Sequence, residues 1–446
     1  MTPGHITRMP RAHTAPLARA LSDITSVGVV GLGYVGLPLA LLSASRGFRV
    51  VGFDIDEVKV AQLARRDADY LSDEENARFK DLSALSVTAN GEDLKGLDAY
   101  IICVPTPVHE NRLPDLRPLE SAAAIVGRHM QKGALVVVES TVSPGVCEER
   151  ALPVLERESG LTRDEFYFAH CPERINPGDG QWSVRTIPRV IGSLNAEGLR
   201  RARRLYSELI DANIVSMGSI KEAEAVKMVE NAFRDVNIAF VNELAIAFDR
   251  AGIDLVNVIR GASTKPFGFM PFYPGCGVGG HCIPVDPYYL IRYGRENGFE
   301  HRFLIAARRI NSRMPLYAVH VLEEALQEKR KKLRGSVVAL LGLAYKPDVP
   351  DLRESPALAI RDRLLARGAV VRVFDPFVPG SSNVLDLDDA LKGADAALIA
   401  TEHAQFRALT PEDFASCGVD VVVDGRNCLS KEAFAGGGIT YRGIGR

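Results

Sequence analysis

The chain has 446 residues, of which 46% are hydrophobic and 25% charged, and its 54 basic and 56 acidic residues leave a formal net charge of −2. These values indicate a globular protein of two or three domains and exclude a basic nucleic-acid binder, an acidic tail protein and a disordered chain. Because the seven cysteines include no CxxC pair, we expect no disulfide framework, no metal site, and a reducing, cytoplasmic compartment.

Residues 1–22 contain Pro, Arg and His but no apolar run like that of a secretory signal, and we interpret them as a flexible tail. No apolar stretch approaches the length of a transmembrane helix, so we expect none. Residues 23–218 alternate short apolar runs with helical segments, which predicts a doubly wound parallel sheet. The predicted strands are Ser26–Gly31, Arg49–Phe53, Ala99–Val104, Leu135–Glu139, Phe166–Ala169 and Arg189–Ile191.

The pattern changes at about Ser219. Glu222–Arg250 contains neither Gly nor Pro and repeats apolar residues three and four positions apart, which predicts a long helix that stops before Gly252. This helix belongs to a predicted helical middle domain at 219–332. Residues 261–290 are rich in Gly, Pro and aromatic residues, and we predict an irregular loop there.

Residues 333–446 return to strand–helix alternation and predict a second α/β domain. The predicted fold class is therefore α/β, with two doubly wound domains joined by a long central helix and a helical middle domain. The predicted strands of the last domain are Ser336–Gly342, Val370–Phe374, Ala396–Ala400 and Val421–Val423.

A GxGxxG motif at 31–36 follows the first predicted strand and opens a predicted helix. This context is typical of a Rossmann-like site, in which the glycines permit a tight turn, a close pyrophosphate and helix–strand packing. A carboxylate after the second strand accepts hydrogen bonds from a ribose 2′-hydroxyl and disfavours a 2′-phosphate, so we predict NAD; the alternative is a glycine turn without a ligand. The candidate contacts are Gly31, Gly33, Tyr34, Val35, Gly36 and Asp54.

Two further strand ends carry hydroxyl side chains. Thr106 and Thr141 each follow a predicted strand, at the edge of the sheet where ligands of such folds bind, and are candidate cofactor contacts. Ordinary turn chemistry explains each of them equally well.

The segment GGHCIPVD at 279–286 places a thiol, Cys282, in a glycine-rich loop four residues before a carboxylate, Asp286. If this loop opens a helix, the field of the helix N-terminus lowers the pKa of the thiol, and Asp286 lies one turn further on. A buried, inert cysteine is the commoner case, but the glycines and the acid favour a nucleophile. We expect a structural role for His281, because adjacent residues do not face each other on a helix.

Lys227 and Asn231 lie four residues apart on the long predicted helix and share one face. Both groups donate hydrogen bonds and would suit an oxyanion, although a solvated helix face is the simpler explanation. Glu173, in the segment CPER, would serve as a general acid or base if burial raised its pKa, but a structural ion pair with Arg174 also explains it.

Six segments occur in a fixed order along the chain: GLGYVG at 31–36, CPERINPG at 171–178, KMVENAFRDVNIAFVNELA at 227–245, PGCGVGGHCIPVDP at 274–287, GLAYKPDVPDLRESP at 342–356 and DGRN at 424–427. In content and order they resemble the UDP-sugar 6-dehydrogenase family, the nucleotide-sugar dehydrogenases. The resemblance runs from about Val27 to Asn427. It implies that two NAD+ oxidise the C6 alcohol of a UDP-hexose to a carboxylate, through an aldehyde, a thiohemiacetal and a thioester.

The resemblance implies a role for each reacting group. Cys282 matches the family nucleophile, Lys227 and Asn231 match its oxyanion donors, and Glu173 matches its acid/base in thioester hydrolysis. Asp286 matches an aspartate near the thiol that acts as a base or orients water. Thr141 matches a threonine near the active-site water and the cofactor.

Further ligand contacts are also implied. Arg353 matches an arginine at the cofactor end, while Lys346 and Arg426 resemble substrate contacts from the C-terminal domain. The other candidate substrate contacts are Glu173, Arg174, Lys227, Asn231, Lys265, Phe272, Tyr273, Gly279 and Tyr345.

Three segments narrow the choice of sugar substrate. The segment Ser263–Gly275, together with CPER and GGHC, resembles the family branch that acts on UDP-N-acetylglucosamine. UDP-glucose enzymes usually differ at CPER and GGHC, and the UDP-N-acetylmannosamine branch has a different loop before the cysteine. Cys276 departs from the pattern, because the family is expected to carry Pro there. UDP-glucose and UDP-N-acetylmannosamine therefore stay as alternatives.

Two other classes of function stay open. A two-electron enzyme of the 3-hydroxyacid or 6-phosphogluconate type also pairs a GxGxxG domain with a helical one, but it needs neither Cys282 nor a second α/β domain. A non-catalytic protein that responds to NAD or a nucleotide sugar is the other alternative. As partners we expect the UDP-sugar substrate and, by fold analogy, a homodimer or higher homo-oligomer, with neither nucleic acid nor membrane.

Overall fold

The computed structural model describes residues 24–68, 71, 73–108, 114–175 and 182–446. The predicted tail at 1–22 and the end of the CPERINPG segment, at 176–178, lie outside the described residues. The chain divides into two compact units. Unit 1 consists of the residues up to Thr106 with Leu116–Thr141 and Gly145–Ala223, and unit 2 of Pro107–Asp115, Val142–Pro144 and Glu224–Arg446.

Unit 1 contains an eight-stranded sheet in the order β3-β2-β1-β4-β5-β6-β7-β8. Its central strands are short aliphatic runs that are buried on both faces, as expected for parallel strands covered by helices. The strands are β1 Ser26–Val30, β2 Arg49–Phe53, β3 Leu85–Thr88, β4 Ala99–Ile102, β5 Leu135–Val138, β6 Tyr167–His170, β7 Arg189–Ser193 and β8 Ile214–Ser216.

One pairing in this sheet departs from the prediction. Neighbouring strands are parallel except β6 and β7, which pair antiparallel. The described part of the connection between them contains no helix that could carry the chain back across the sheet, which a parallel neighbour requires. The edge strands β3 and β8 were not predicted, because both are short and mix polar with apolar residues.

The helices of unit 1 cover this sheet. Helix α1 is built of Leu, Ala and other small residues and is almost entirely buried against the strands. The helices are α1 Gly36–Ser45, α2 Glu57–Ala64, α3 Asp73–Asp81, α4 Arg117–His129, α5 Leu152–Ser159 and α6 Ala196–Leu209.

The middle of the chain is helical, as predicted. The long helix α7 spans Ile220–Arg250, with 31 residues, and is about 46 Å long at 1.5 Å per residue. It is followed by α8 Leu255–Ala262, α9 Asp286–Glu296 and α10 Arg302–Glu328. The irregular segment ends earlier than predicted, because α9 begins at Asp286.

Unit 2 ends in a second, fully parallel sheet of five strands in the order β10-β9-β11-β12-β13. The predicted α/β class with two doubly wound sheets is thus confirmed. The part of the chain that the structure describes holds no helix with the length and hydropathy required to cross a membrane. The elements are β9 Val337–Leu341, α11 Pro356–Ala366, β10 Val370–Phe374, α12 Leu387–Leu391, β11 Ala396–Ile399, α13 Ala404–Arg407, α14 Pro411–Ser416, β12 Val421–Asp424 and β13 Thr440–Gly443.

Candidate active site

The glycine loop between β1 and α1 contains two glycines that the fold requires and one that it does not. Gly31 has φ +95°, a conformation that favours glycine, and a Cβ on Gly36 would overlap the carbonyl oxygen of Gly31. A Cβ on Gly33, by contrast, would have no heavy atom within 4 Å. Protein packing therefore explains Gly31 and Gly36, whereas the space beside Gly33 is what a pyrophosphate needs to approach the backbone.

The surroundings of this loop fit NAD. Asp54 is buried, and its Oδ2 accepts hydrogen bonds from the Leu32 N–H at 2.9 Å and from Lys59 Nζ at 2.9 Å. The carboxylate is thus held against the glycine loop, where an adenine ribose would meet it. The first turn of α1 carries no acidic residue, and Val35 makes no side-chain cap, so the positive end of the helix dipole is not neutralised by side chains of that turn.

The predicted contacts Thr106 and Thr141 lie together. The hydroxyl of Thr106 donates a hydrogen bond to the Thr141 carbonyl at 2.7 Å, and the hydroxyl of Ser140 donates to the Val104 carbonyl at 2.7 Å. These bonds join the ends of β4 and β5. Turn chemistry therefore accounts for at least one bond of Thr106.

Glu173 forms an ion pair that the sequence analysis did not anticipate. Its Oε2 lies 2.6 Å from Nη2 of Arg189, at an angle outside hydrogen-bond geometry, and its Oε1 accepts the backbone N–H groups of Arg174 and Ile175, each at 2.6 Å. Arg174 thus contributes its backbone N–H, while its guanidinium donates to the Pro188 carbonyl at 3.1 Å. Arg189 is fully buried, and Glu173 is buried.

A second carboxylate, Glu139, shares the same arginine. Nη1 of Arg189 lies 3.4 Å from Glu139 Oε2, and the hydroxyl of Tyr206 donates to Glu139 Oε1. Burial raises the pKa of Glu139 to about 7, against the opposing charge of Arg189. Sequence analysis missed Glu139, Arg189 and Tyr206; the only signal was a Glu at the end of an aliphatic strand and an Arg at the start of another.

In unit 2, the thiol of Cys282 precedes α9 by one turn. The Cys282 carbonyl accepts the backbone N–H of Asp286 at 2.8 Å, and Asn231 Nδ2 donates to Asp286 Oδ2 at 2.5 Å. Cys282 is exposed, while Lys227, Asn231 and Asp286 are buried. The structure therefore brings together Cys282, Asp286, Lys227 and Asn231, the four predicted reacting groups of this unit. The solvated helix face considered for Lys227 and Asn231 is wrong.

The expected lowering of the thiol pKa is also wrong. Although Cys282 as a residue is exposed, the protein packed around its sulfur desolvates the thiolate and so raises the pKa of the thiol. The charge of Asp286 raises this pKa further, whereas the charges of Lys227, Arg353 and Arg234 lower it. The helix begins only at Asp286, so its field is not the dominant influence on the sulfur. Burial also raises the pKa of Asp286 to about 7, against the hydrogen bond from Asn231 and the charge of Lys227. The carboxyl group and the thiol are therefore both neutral over much of the acidic range.

The glycines before Cys282 are needed for packing. A Cβ on Gly280 would lie 2.7 Å from the Tyr345 ring, and one on Gly279 would lie 2.6 Å from Tyr345 Cβ, so the loop runs directly beneath this tyrosine. The Gly280 N–H donates to the Arg353 carbonyl at 2.9 Å. Arg353 itself pairs with Asp351 at 2.6 Å. Tyr345 and the Arg353 segment therefore hold the cysteine loop.

The other predicted substrate contacts of unit 2 are spread over the irregular segment and the second sheet. Lys265 lies 4.9 Å from the Phe267 ring centroid, the Phe272 and Phe233 rings are 5.9 Å apart, and Tyr273 is exposed. Arg426 pairs with Glu402 at 3.4 Å. Lys346 lies next to Tyr345 in the loop after β9.

Cys276, the departure from the expected pattern, is buried beside the strand end that carries Arg426. Its thiol donates to the Gly425 carbonyl at 3.5 Å, and a side chain on Gly425 would overlap the sulfur. Burial raises the pKa of Cys276 to about 12. The residue therefore packs as a small neutral side chain. Within the described ranges, no group of three or more His, Cys, Asp or Glu side chains could hold a metal ion.

Comparison with known families gives three consecutive matches. All three are to models of the UDP-glucose/GDP-mannose dehydrogenase family: its NAD binding domain matches residues 25–210, its central domain residues 221–313 and its UDP binding domain residues 339–431. The glycine loop falls in the first match and Cys282 in the second.

Individual relatives match along nearly the whole chain. The chain is 42% identical over 399 residues to the UDP-N-acetyl-D-glucosamine 6-dehydrogenase of Pseudomonas aeruginosa, covering 88% of this chain and 94% of the relative. It is 39% identical over 425 residues to a UDP-N-acetyl-D-mannosamine dehydrogenase of Pyrococcus horikoshii, covering 94% and 99%. A solved structure of UDP-D-ManNAc dehydrogenase from Pyrococcus horikoshii matches with a TM-score of 0.88 at 38% identity, covering 94% of this chain and 99% of that chain.

Proposed function

Because the chain belongs to the UDP-glucose/GDP-mannose dehydrogenase family, whose members are NAD-dependent nucleotide-sugar dehydrogenases, we propose that it oxidises the C6 alcohol of UDP-N-acetylglucosamine to the carboxylate in four electrons. The observation that carries this proposal is the cluster in unit 2, in which an exposed thiol stands beside buried Lys227, Asn231 and Asp286. A two-electron dehydrogenase has no use for that thiol.

NAD+ supplies the hydride acceptor for each of the two oxidations. The glycine loop and Asp54 would hold this cofactor. The space beside Gly33 would admit the pyrophosphate, whose negative charge the N-terminus of α1 would favour. Asp54 would accept hydrogen bonds from the ribose hydroxyls. A 2′-phosphate would meet the negative charge of Asp54. This arrangement supports NAD over NADP.

Cys282 captures the intermediate aldehyde. Its sulfur adds to the aldehyde carbon, the carbonyl oxygen takes up a proton, and a thiohemiacetal forms; the second oxidation converts this adduct to a thioester. Capture prevents loss of a reactive aldehyde. Since desolvation of the sulfur and the charge of Asp286 raise the pKa of the thiol, a base must remove its proton. We assign this role to ionised Asp286, which lies one helical turn further along the chain.

Lys227 and Asn231 stabilise negative charge on the sugar oxygen. Both are buried, and an ammonium and an amide that are removed from solvent stabilise charge more strongly than they would in water. In the last step, water attacks the thioester carbon, the carbon–sulfur bond breaks, and the thiol is regenerated. We assign the base that takes the proton from this water to Glu173, whose carboxylate is held by two backbone N–H groups and Arg189.

The preference for an N-acetylglucosamine sugar is supported by the segment Ser263–Gly275 and by the 42% identity to the Pseudomonas aeruginosa enzyme of that name. The Pyrococcus horikoshii relative, a UDP-N-acetyl-D-mannosamine dehydrogenase, is 39% identical, so the C2 epimer is the second candidate substrate.

A panel of UDP-sugars tests both parts of the proposal. With NAD+, UDP-N-acetylglucosamine should give two NADH per sugar and a product heavier by about 14 Da, as alcohol-to-acid conversion requires. UDP-glucose and UDP-N-acetylmannosamine should turn over more slowly. One NADH per sugar would refute the four-electron reaction, and full carboxylate yield with the variant Cys282→Ser would refute covalent capture.

We also propose that the chain forms a homodimer through α7. Val229, Phe233 and Phe240 are 58%, 47% and 55% exposed, and at 100° per residue they fall on one face of that helix. An apolar stripe of this kind is typical of an interface. Light scattering should give twice the monomer mass, and Phe233→Glu with Phe240→Glu should give a monomer.

A further inference from the structure

Arg189 is a cation enclosed between two acids. It is 0% exposed, and Glu139 and Glu173 are 1% and 6% exposed. One arm of its guanidinium lies 2.6 Å from Glu173 Oε2 and the other 3.4 Å from Glu139 Oε2. The backbone N–H of Glu173 also donates to the Glu139 carbonyl at 3.3 Å. The two carboxylates are therefore fixed to each other and to one guanidinium.

Among the described residues, the charges of this triad act on Cys103, Cys171 and Tyr206, and these three groups are neutral. Burial raises the pKa values of Cys103, Cys171 and Tyr206 well above neutrality, and burial lowers the pKa of His170 to about 3. Arg174 donates its guanidinium to the Pro188 carbonyl. The charge of Arg189 is thus divided between two buried acids, in surroundings where charge interactions are stronger than in water.

We propose that Arg189 is a positioning residue for hydrolysis, and that Glu139 regulates it: when Glu139 is ionised, the arginine charge is shared, and when Glu139 is protonated, that charge acts on Glu173 alone. This inference rests on the proposed function, in which Glu173 is the base in thioester hydrolysis. The forked guanidinium is needed because its two arms contact two carboxylates, which the single ammonium of a lysine cannot do in the same geometry.

In the proposed function Glu173 acts in hydrolysis, so we expect hydrolysis to depend on this triad more strongly than the two oxidations do. The prediction is therefore selective: Arg189→Lys keeps the buried positive charge but loses the fork, so Glu173 loses its orientation. We expect thioester hydrolysis to slow by about tenfold or more, within the range that general base catalysis contributes. The rate of the first NADH burst should stay within about twofold of wild type.

Glu139→Gln is the second variant, because removing a buried arginine outright would leave two unpaired carboxylates and threaten folding. Gln keeps an acceptor for Tyr206 but removes one negative charge, so the whole arginine charge faces Glu173. Because the pKa of Glu139 is about 7, wild type already has a neutral Glu139 on the acid limb. We therefore expect Glu139→Gln to leave that limb in place and to abolish the change in hydrolysis rate that wild type shows as the pH passes through about 7. Glu165→Gln, which alters an ion pair with Lys132 at the surface of the same unit, is the matched control and should change neither phase.

The experiment uses the full chain with NAD+ and UDP-N-acetylglucosamine. Rapid mixing follows NADH, and mass spectrometry of quenched samples measures the sugar adduct on Cys282. Accumulation of the adduct in Arg189→Lys with a normal first burst, together with loss of the rate change near pH 7 in Glu139→Gln, supports the inference. Equal slowing of burst and hydrolysis, or a rate change near pH 7 that persists in Glu139→Gln, overturns it. If Glu173→Gln accumulates the adduct and Arg189→Lys does not, only the inference fails. If neither wild type nor Glu173→Gln forms an adduct and wild type gives one NADH per sugar, the proposed function fails and the inference with it.

Discussion

The carboxyl group of Asp286 provides a quantitative test of the cluster in unit 2. Asp286 is 3% exposed, and burial raises its pKa from 3.8 to about 7. Between these two values the folded protein binds a proton that the unfolded chain has released, so stability falls as the pH rises through this window. The cost is absent below the unfolded pKa and is complete above the folded one.

The size of the effect is set by the shift. About three pKa units at about 1.4 kcal/mol each give about 4 kcal/mol at pH 8, of which roughly 2–3 kcal/mol develops between pH 5 and pH 8. Asp286→Asn removes the ionisation and keeps an acceptor for Asn231. We therefore expect the variant to be more stable than wild type at pH 8, with an advantage that shrinks by roughly 2–3 kcal/mol at pH 5. Urea denaturation followed by circular dichroism at both pH values measures this double difference.

Asp375→Asn is the matched control, since this carboxylate is also buried. Burial opposes its ionisation, but hydrogen bonds from His403 and from the backbone of Ala344 and Leu343 lower its pKa to about 2. Its stabilising contribution is therefore fully present at both pH values and is lost only as the pH falls toward 2. The control should lose similar stability at pH 5 and pH 8. If Asp286→Asn showed the same pH-independent behaviour, the buried neutral acid beside the thiol would be refuted.

Three further predictions concern the two sets of site residues. Gly33→Ala should weaken NAD binding by about tenfold without changing the melting temperature, whereas Gly36→Ala should destabilise the fold by about 2 kcal/mol; calorimetry measures both. Iodoacetamide at pH 8 should modify Cys282 first among the described cysteines, and peptide mass spectrometry identifies the modified site. The modification should be faster in Asp286→Asn, because this variant lacks a negative charge that raises the pKa of the thiol. An unchanged rate would contradict this electrostatic explanation. Asp54→Asn should narrow the preference for NAD over NADP in a comparison of kcat/KM.

Local patterns with strong backbone requirements could be predicted from the sequence. The segment from β1 to β2 is one such case, because the glycine spacing restricts the turn and the apolar runs predict the strands. The strands β2 and β10 begin and end at the predicted residues. The long helix α7 is another, since an uninterrupted repeat without Gly or Pro leaves few alternatives. In both cases the information is contained within neighbouring residues.

Properties that depend on tertiary contacts could not be predicted in this way. The spacing of Lys227 and Asn231 shows that they share a face, but only packing decides whether that face is buried. The sign of the Cys282 pKa shift is likewise decided by burial, which outweighs the helix start that the spacing indicated. The pairing of Glu173 with Arg189 arises because β6 and β7 are neighbours in the sheet, and no local pattern reports that adjacency.

The same pattern of hydrogen bonds occurs after the first strand of each sheet. In unit 1 the Gly31 N–H donates to the Phe53 carbonyl and the Leu32 N–H to Asp54; in unit 2 the Gly342 N–H donates to the Phe374 carbonyl and the Leu343 N–H to Asp375. Three of the six residues also coincide between GLGYVG at 31–36 and GLAYKP at 342–347, namely the first Gly, the Leu and the Tyr.

The chain takes a different course after each of these two loops, and this difference determines which loop has the features of a dinucleotide site. After Gly31–Gly36 a helix begins at once, beside an open glycine and Asp54, whose charged partner Lys59 comes from the following helix. After Gly342 the chain continues without a helix until Pro356, and Asp375 is sealed by the imidazole of His403 at 3.0 Å. The second loop therefore lacks the helix N-terminus that binds a pyrophosphate and has no free aspartate for a ribose. Instead its longer course presents Tyr345, beneath which the cysteine loop runs. The second sheet thus has the same turn but lacks the features that bind a dinucleotide, which agrees with the match of the NAD binding domain to residues 25–210.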